Sequence, residues 1–430
     1  MTDTFRVAIA GLGTVGAVVV DMLQSKKEQL SRRCGVEIQL VAVSARERNR
    51  DRGINISNIP WFDDPVEMAT SVSADLIVEL IGGESGVAEA ICKNALGCGK
   101  HVVTANKALL AMQGTELAKL SEKAGVVLGY EASVAGGIPI IKALREGFAG
   151  NRINSVHGIL NGTCNYILTV MRESGRTFDN VLSEAQELGY AEADPTFDID
   201  GVDTAHKLAL LSSVAFGSEV SFENVYIEGI RHITSEDINF AGELGYRIKL
   251  LGIAKRKKEG VEQRVYPCMV PIDTAIAHVE GVFNAVVIEG DLVGSSVLQG
   301  RGAGGGPTAS SVISDIVDIA RGANFPVFAV PVGELERRDQ VSIDARRGAY
   351  YVRLMVLDTP GVIADVSAAL RDENVSVESL LQRGRSKRGP VPVVLKLHET
   401  KELALRRALE KIKGLSTVVE TPKMIRIETF

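Results

Sequence analysis

Phe5–Ala10 is apolar at all but one position, the chain then turns through Gly11-Leu12-Gly13-Thr14-Val15-Gly16, and apolar residues recur afterwards at helical spacing. This pattern predicts strand, glycine turn and helix. Further apolar runs at 36–45, 74–83, 100–106 and 126–133, with amphipathic stretches at 86–98 and 114–124, repeat the theme. Such alternation predicts a parallel, doubly wound α/β sheet of the Rossmann type. The texture changes after about residue 150. Strand patterns at 154–163, 222–230, 246–255 and 261–270, interleaved with helices, predict an α+β domain with its own sheet. Residues 334–348 are charged and short of large apolar side chains, as in a linker, and 349–430 read as strand–helix–strand–strand–helix–strand, a ferredoxin-like order.

The glycine turn carries the first candidate chemistry. Gly11 permits the tight turn, Gly13 lets backbone approach a pyrophosphate and Gly16 allows close helix–strand packing, so residues 11–16 are candidates to hold a dinucleotide. The second strand ends at Ser44-Ala45-Arg46, with Arg48, Arg50 and Arg52 following, where an NAD-binding fold would carry an acid for the ribose 2′-hydroxyl. A serine and the Arg46 guanidinium suit a 2′-phosphate, which favours NADP, with NAD as the alternative. Lys107 follows the strand 100–106 at the carboxyl edge of the sheet, where ligands bind in such folds. An exposed loop lysine is the plain alternative.

Residues 185–207 concentrate six carboxylates and a lysine in a loop and the start of an apolar helix. Asp203, Lys207, Leu210 and Val214 fall on one helical stripe, so an acid and an ammonium lie among core positions. A surface ion pair would need neither this apolar setting nor the fixed turns at Pro195 and Gly201. The arrangement points to a polar substrate site.

Ala185, Gly189, Tyr190, Ala191, Asp194, Pro195, Asp198, Ile199, Gly201, Asp203 and Lys207, at this spacing, resemble the signature of homoserine dehydrogenases. The resemblance spans residues 5–430 and is to the monofunctional form, with no kinase module ahead of it. It implies interconversion of L-homoserine and L-aspartate 4-semialdehyde, with hydride exchanged at the nicotinamide. By the same resemblance Lys207, Lys107 and Asp203 are catalytic, and Glu192, Asp198 and Gly189 bind substrate. The cofactor lies on Gly11, Leu12, Gly13, Thr14, Val15, Gly16, Arg46, Lys107 and Gly302. A monovalent cation, Na⁺, is held by Glu131, Val134, Gly136 and Ile138 in a stretch that composition alone marks only as a glycine-rich turn. His157-Gly158-Ile159-Leu160-Asn161-Gly162-Thr163 resembles a segment lining the site. The implied domains are 1–140, nucleotide binding, completed by about 301–333; 141–300, catalysis and dimerisation; 334–348, linker; and 349–430, an ACT domain recognised by Asp358-Thr359-Pro360-Gly361-Val362, with threonine as a candidate effector.

Composition narrows the classes. The 430 residues carry a formal charge of −6 without a basic block, which argues against nucleic acid or an acidic membrane as partner. Five scattered cysteines show no metal-ligand spacing, and neither a signal peptide nor an apolar run of membrane length is present, so a cytoplasmic homodimer or homotetramer is expected. Two other classes stay open. A phosphorylating semialdehyde dehydrogenase would need an activated cysteine, for which Cys164 is the candidate, and a non-catalytic amino-acid sensor would need no Lys107, Asp203 and Lys207 set.

Overall fold

The computed structural model describes residues 4–383 and 389–430. Six strands, β1 (Thr4–Ala10), β2 (Glu37–Ser44), β3 (Trp61–Phe62), β4 (Leu76–Glu79), β5 (His101–Thr104) and β6 (Leu128–Gly129), form a parallel sheet in the order 3-2-1-4-5-6. The order reverses beside β1, whose carboxyl end carries the glycine turn, and a crevice opens where chain directions diverge. The central strands are buried on both faces, hence their continuous apolar runs. The helix Gly305–Ala320 returns to this sheet and packs on the helix Thr14–Ser25, with Ala309, Val312 and Ile316 entering the same core as Val7, Ile9 and Val19.

The second sheet is mixed. β7 (Ile153–Ile159), β9 (Tyr246–Arg256), β10 (Val261–Pro271), β11 (Phe283–Gly290) and β12 (Gly294–Arg301) are antiparallel to their neighbours in the order 12-11-7-9-10, and the short β8 (Tyr226–Ile227) lies parallel against β10. The helix Val202–Phe216 lies between β9 and the helix Lys107–Ala124 of the nucleotide layer. It is covered on all sides, and every residue from Asp203 to Phe216 is buried. That position explains a helix apolar nearly all round.

The carboxyl-terminal strands β13 (Arg347–Leu357), β14 (Val377–Gln382), β15 (Pro390–Lys401) and β16 (Lys423–Ile427) have the predicted ferredoxin-like order, with two helices, Val362–Asp372 and Glu402–Lys413, packed together on them. They do not form a separate sheet. β16 pairs in parallel with β10 at Cys268–Arg426 and Met269–Ile427, giving one sheet of ten strands. Residues 334–348, read from composition as a linker, are docked: Ser218 bridges Glu336, Val261 bridges Gln340, and the buried Arg346 binds Glu428. Arg337, Asp344 and Arg346 of this stretch pair with Glu219, Arg406 and Glu428 in the fold, a use composition does not distinguish from solvation.

Other differences are local. The helix expected at 114–124 begins at Lys107, because Asn106 caps it by accepting from the Leu109 N–H at 3.1 Å. Gly162 and Thr163, expected at the end of a strand, open the helix Gly162–Ser174 under the same kind of cap from Asn161. The strand expected at 126–133 pairs only at Leu128–Gly129 and passes into a 3₁₀ turn at Glu131–Ser133.

Candidate active site

Asp203 is the hub. In the first turn of its helix it is almost completely buried, and both carboxylate oxygens are engaged. Oδ1 lies 3.0 Å from Lys107 Nζ, while Oδ2 accepts from Lys207 Nζ at 2.7 Å and from Asn161 Nδ2 at 2.9 Å. Asn161 Nδ2 also donates to Asp198 Oδ1 at 2.8 Å, tying the loop before the helix to the helix itself. Lys207 Nζ gives a second hydrogen to the Leu160 carbonyl at 2.7 Å. Lys107 is partly exposed and stands 5.7 Å from the centre of the Phe197 ring.

One acid between two ammonium groups gives the lysines different characters. The charge of Asp203 raises Lys107 against the effect of burial, so Lys107 stays a cation. Burial lowers Lys207, Asp203 restores only part of this, and nearby Lys107 lowers it further. Lys207 is therefore the readier proton donor. Burial alone would raise Asp203, but Lys207 and Lys107 outweigh it and hold the carboxyl well below its ordinary range. Burial and the charge of Asp203 push Asp198 up.

Gly189 ends the helix Phe178–Glu187, where the Tyr190 N–H donates to the Ala185 carbonyl and the Gly189 N–H to that of Gln186, a Schellman turn that starts the acidic loop. Glu192 is exposed on that loop and its charge raises Lys107. The buried thiol of Cys164 donates to the Asp198 carbonyl at 3.3 Å, and burial pushes it well above the ordinary thiol range. It is not an activated nucleophile. His157 stacks on Phe430 with ring centres 3.5 Å apart, away from this cluster's contacts. Asn161 is the residue whose role the sequence reading missed, and its signal is the asparagine cap directly before Gly162-Thr163.

Gly11, Leu12, Gly13, Ser44, Arg46 and Arg50 line a cleft of about 610 Å³. At Gly11, φ is +104°, and a side chain there would strike the Leu80 carbonyl; at Gly16 one would strike the Gly11 carbonyl. In front of Gly13 the space is open. The Ser44 hydroxyl is buried without a hydrogen-bond partner among the described residues, and Arg46 and Arg50 stand exposed at the cleft. Arg52 is already committed, donating to the Leu12, Arg50 and Glu47 carbonyls. These residues fit an anionic dinucleotide: open space at the pyrophosphate turn, a spare hydroxyl and exposed guanidinium groups. Thr14 and Val15 begin the following helix. Gly302 lies against Asn284 and the turn containing Gly136, outside this lining.

Family models match three stretches: "Homoserine dehydrogenase" at 139–317, "Homoserine dehydrogenase, NAD binding domain" at 11–131 and "ACT domain" at 350–415. Homoserine dehydrogenase of Pseudomonas aeruginosa is 45% identical over 98% of both chains. The chain belongs to the homoserine dehydrogenase family. A homoserine dehydrogenase of Neisseria gonorrhoeae is 44% identical over 99% of each chain. A solved homoserine dehydrogenase structure from Thiobacillus denitrificans superposes with a TM-score of 0.93 at 43% identity, covering 100% of this chain and 99% of that one. A hyperthermophilic archaeal homoserine dehydrogenase solved in complex with NADPH matches 75% of this chain, and 99% of its own, with a TM-score of 0.64 at 29% identity. The chain is thus an enzyme of the homoserine dehydrogenase class with an NAD(P)-binding domain, and the sensor and phosphorylating alternatives fall. No helix among the described residues is long and apolar enough to cross a membrane.

Proposed function

We propose that the enzyme interconverts L-homoserine and L-aspartate 4-semialdehyde with NADP in preference to NAD, using Lys207 to move the proton. The observation that carries this reading is the buried Lys207–Asp203–Lys107 cluster, with Asn161 fixing the acid. When bound on the glycine turn and the cleft of Ser44 and Arg46, the nicotinamide cofactor would supply the hydride for the aldehyde carbon. In the reductive direction Lys207 Nζ gives its proton to the aldehyde oxygen, and in the oxidative direction neutral Lys207 takes it back from the hydroxyl. Its lowered proton affinity suits both directions. Asp203 holds Lys207 in place, and the retained charge of Lys107 stabilises negative charge on the reacting oxygen. Asp198, with its second oxygen free among the described residues, and Glu192 bind the substrate ammonium, with Gly189 turning the chain into the loop that carries them.

We assign the 2′-phosphate to Arg46 and the Ser44 hydroxyl. We also assign a monovalent cation to Glu131 and the carbonyls of Val134, Gly136 and Ile138. Glu131 supports that assignment, since burial and the charge of Asp315 push its carboxyl up to about 7, a cost that a neighbouring cation would relieve. Both its oxygens already accept backbone N–H groups from Ile141 and Lys142, which orient it. The domain assignment follows the same division, with cofactor on 1–140 and 301–333, substrate on 141–300, an effector on 349–430, and a homodimer or homotetramer as the assembly.

The deciding experiment is homoserine oxidation with NADP⁺ and NAD⁺ side by side, for the parent and Arg46→Ala. A lost charge-assisted contact of about 1.5–3 kcal/mol raises KM for NADP⁺ roughly ten- to a hundredfold and leaves KM for NAD⁺ unchanged. Equal weakening of both cofactors would move Arg46 to the pyrophosphate or to a structural role.

A further inference from the structure

One completely buried carboxylate outside the catalytic cluster has no ion-pair partner among the described residues. Glu79 is the last residue of β4, and its Oε1 accepts the backbone N–H groups of Ile81 at 2.7 Å and Gly82 at 2.9 Å. Leu80, Ile81 and Gly82 form part of the wall of the dinucleotide cleft. Oε2 accepts the Thr104 hydroxyl at 2.6 Å, across to the end of β5. Thr104 Oγ1 in turn accepts the Asn106 N–H at 3.0 Å. Asn106 caps the helix that begins at Lys107, and its Nδ2 donates to the Gly83 carbonyl at 2.6 Å. The bonds close a ring: Glu79, the Ile81–Gly83 turn, Asn106, Thr104 and back to Glu79.

A buried carboxylate is costly unless its lone pairs are satisfied, and here three donors satisfy it from two sides. One side is the cofactor wall. The other is the cap that sets where Lys107 starts its helix, and so where Nζ meets Asp203. We propose that Glu79 is a positioning residue, which fixes the cofactor-binding turn and Lys107 relative to each other so that hydride and oxyanion stabilisation are aligned. The proposal rests on the role given above to Lys107. Glu79→Gln is isosteric but neutral: its single oxygen can still serve the two backbone N–H groups, while its amide can only donate to Thr104 Oγ1, so the Thr104 hydroxyl proton loses its carboxylate acceptor and the bond across to β5 becomes one between neutral groups. Thr104→Val cuts the same ring from the other side, and Thr104→Ser keeps the hydroxyl.

The test compares kcat, KM for NADP⁺ and thermal midpoint for these variants alone and in a Lys107→Ala background, by single turnover where rates are low. Glu79→Gln and Thr104→Val each lower kcat by about ten- to a hundredfold, the scale of a small misplacement of reacting groups, and raise KM for NADP⁺. Thr104→Ser retains activity. In Lys107→Ala each substitution lowers kcat by a smaller factor than in the parent, because one of the two groups it aligns is gone. A merely structural carboxylate would instead lower kcat by the same factor in both backgrounds. Should Glu79→Gln fail to fold, Thr104→Val carries the comparison alone. Parent-like kinetics in Glu79→Gln and Thr104→Val, or equal losses in both backgrounds, overturn this proposal. Near-normal turnover of Lys107→Ala overturns the role of Lys107 itself and this proposal with it, so the two failures are told apart.

Discussion

At Asp203 a single carboxylate sorts two identical side chains into different chemical roles. Lys107 faces the partly open side, where the acid's charge outweighs burial and keeps it protonated; Lys207 is enclosed, and burial outweighs the acid. Replacing Lys207 by Ala removes the proton carrier and lowers kcat by at least about a hundredfold, the lower end for an acid–base group. Lys107→Ala lowers kcat by a similar factor through loss of electrostatic stabilisation, and steady-state homoserine oxidation checks both. The pH profiles distinguish them. With Lys207 lowered from the ordinary lysine range, oxidation in the parent rises with pH as Lys207 loses its proton, and this limb is absent from the residual activity of Lys207→Ala. A parent-like limb in that variant would assign the titration to another group. The Asp203 and Lys207 pair was legible from helical spacing alone, since charges at core positions need a reason. The link through Asn161 was not, because it joins residues 42 apart in sequence and depends on how β7 ends beside the central helix.

The elements themselves were legible where periodicity was long and uniform. The parallel, doubly wound sheet, the central helix and the ferredoxin-like succession of elements followed from apolar patterning; the two-residue β3 was too short to show a pattern, and helix starts at Lys107 and Gly162 were masked by apolar or glycine-rich residues after an asparagine cap. Composition also failed at the seam between β10 and β16. Arg346 belongs to the charged stretch 334–348, Lys255 and Tyr266 to β9 and β10, and Glu428 directly follows β16, yet they meet in the interior: Glu428 Oε1 accepts the Tyr266 hydroxyl at 2.6 Å and Arg346 Nη2 at 2.8 Å, and Oε2 lies 3.2 Å from Lys255 Nζ. Removing one partner of a buried pair strands the others. Glu428→Ala should therefore destabilise the folded chain by about 3–5 kcal/mol, read from the urea midpoint. Burial would raise the Glu428 carboxyl, but Lys255 and Arg346 hold it well below its ordinary range. Its contribution is thus present above the unfolded carboxylate pKa and is lost as pH falls towards the depressed folded value. A Glu428→Ala variant of parent stability at neutral pH would show that the seam is held by strand pairing alone.

At the scale of the whole molecule, the shared ten-strand sheet changes how regulation can be tested. The ACT strands continue through β16 into β10, β9 and β7, and β7 ends just before Leu160 and Asn161, which hold Lys207 and Asp203. Deleting residues 349–430 would strip β16 from β10 and leave Tyr266, Arg346 and Lys255 without Glu428, so a dead truncation would say nothing about an effector. A point change in the turn is cleaner. Gly361 caps the helix Val362–Asp372 at φ +100°, with open space where a side chain would go, so Gly361→Ala strains the turn without a collision. If threonine is the effector and binds there, its inhibition needs a coupling free energy of only about 1–3 kcal/mol between turn and active site. Gly361→Ala should abolish threonine inhibition while leaving kcat and KM for homoserine unchanged, measured by initial rates at several threonine concentrations. Phe430→Ala, which removes the stack on His157 of β7, should weaken inhibition without abolishing threonine binding, because it loosens the connection and spares the turn. Inhibition that stays at full strength in both variants and is competitive with homoserine would place threonine in the substrate site as a homoserine analogue. The ACT strands would then serve the fold through their shared sheet and no regulatory coupling would remain to explain.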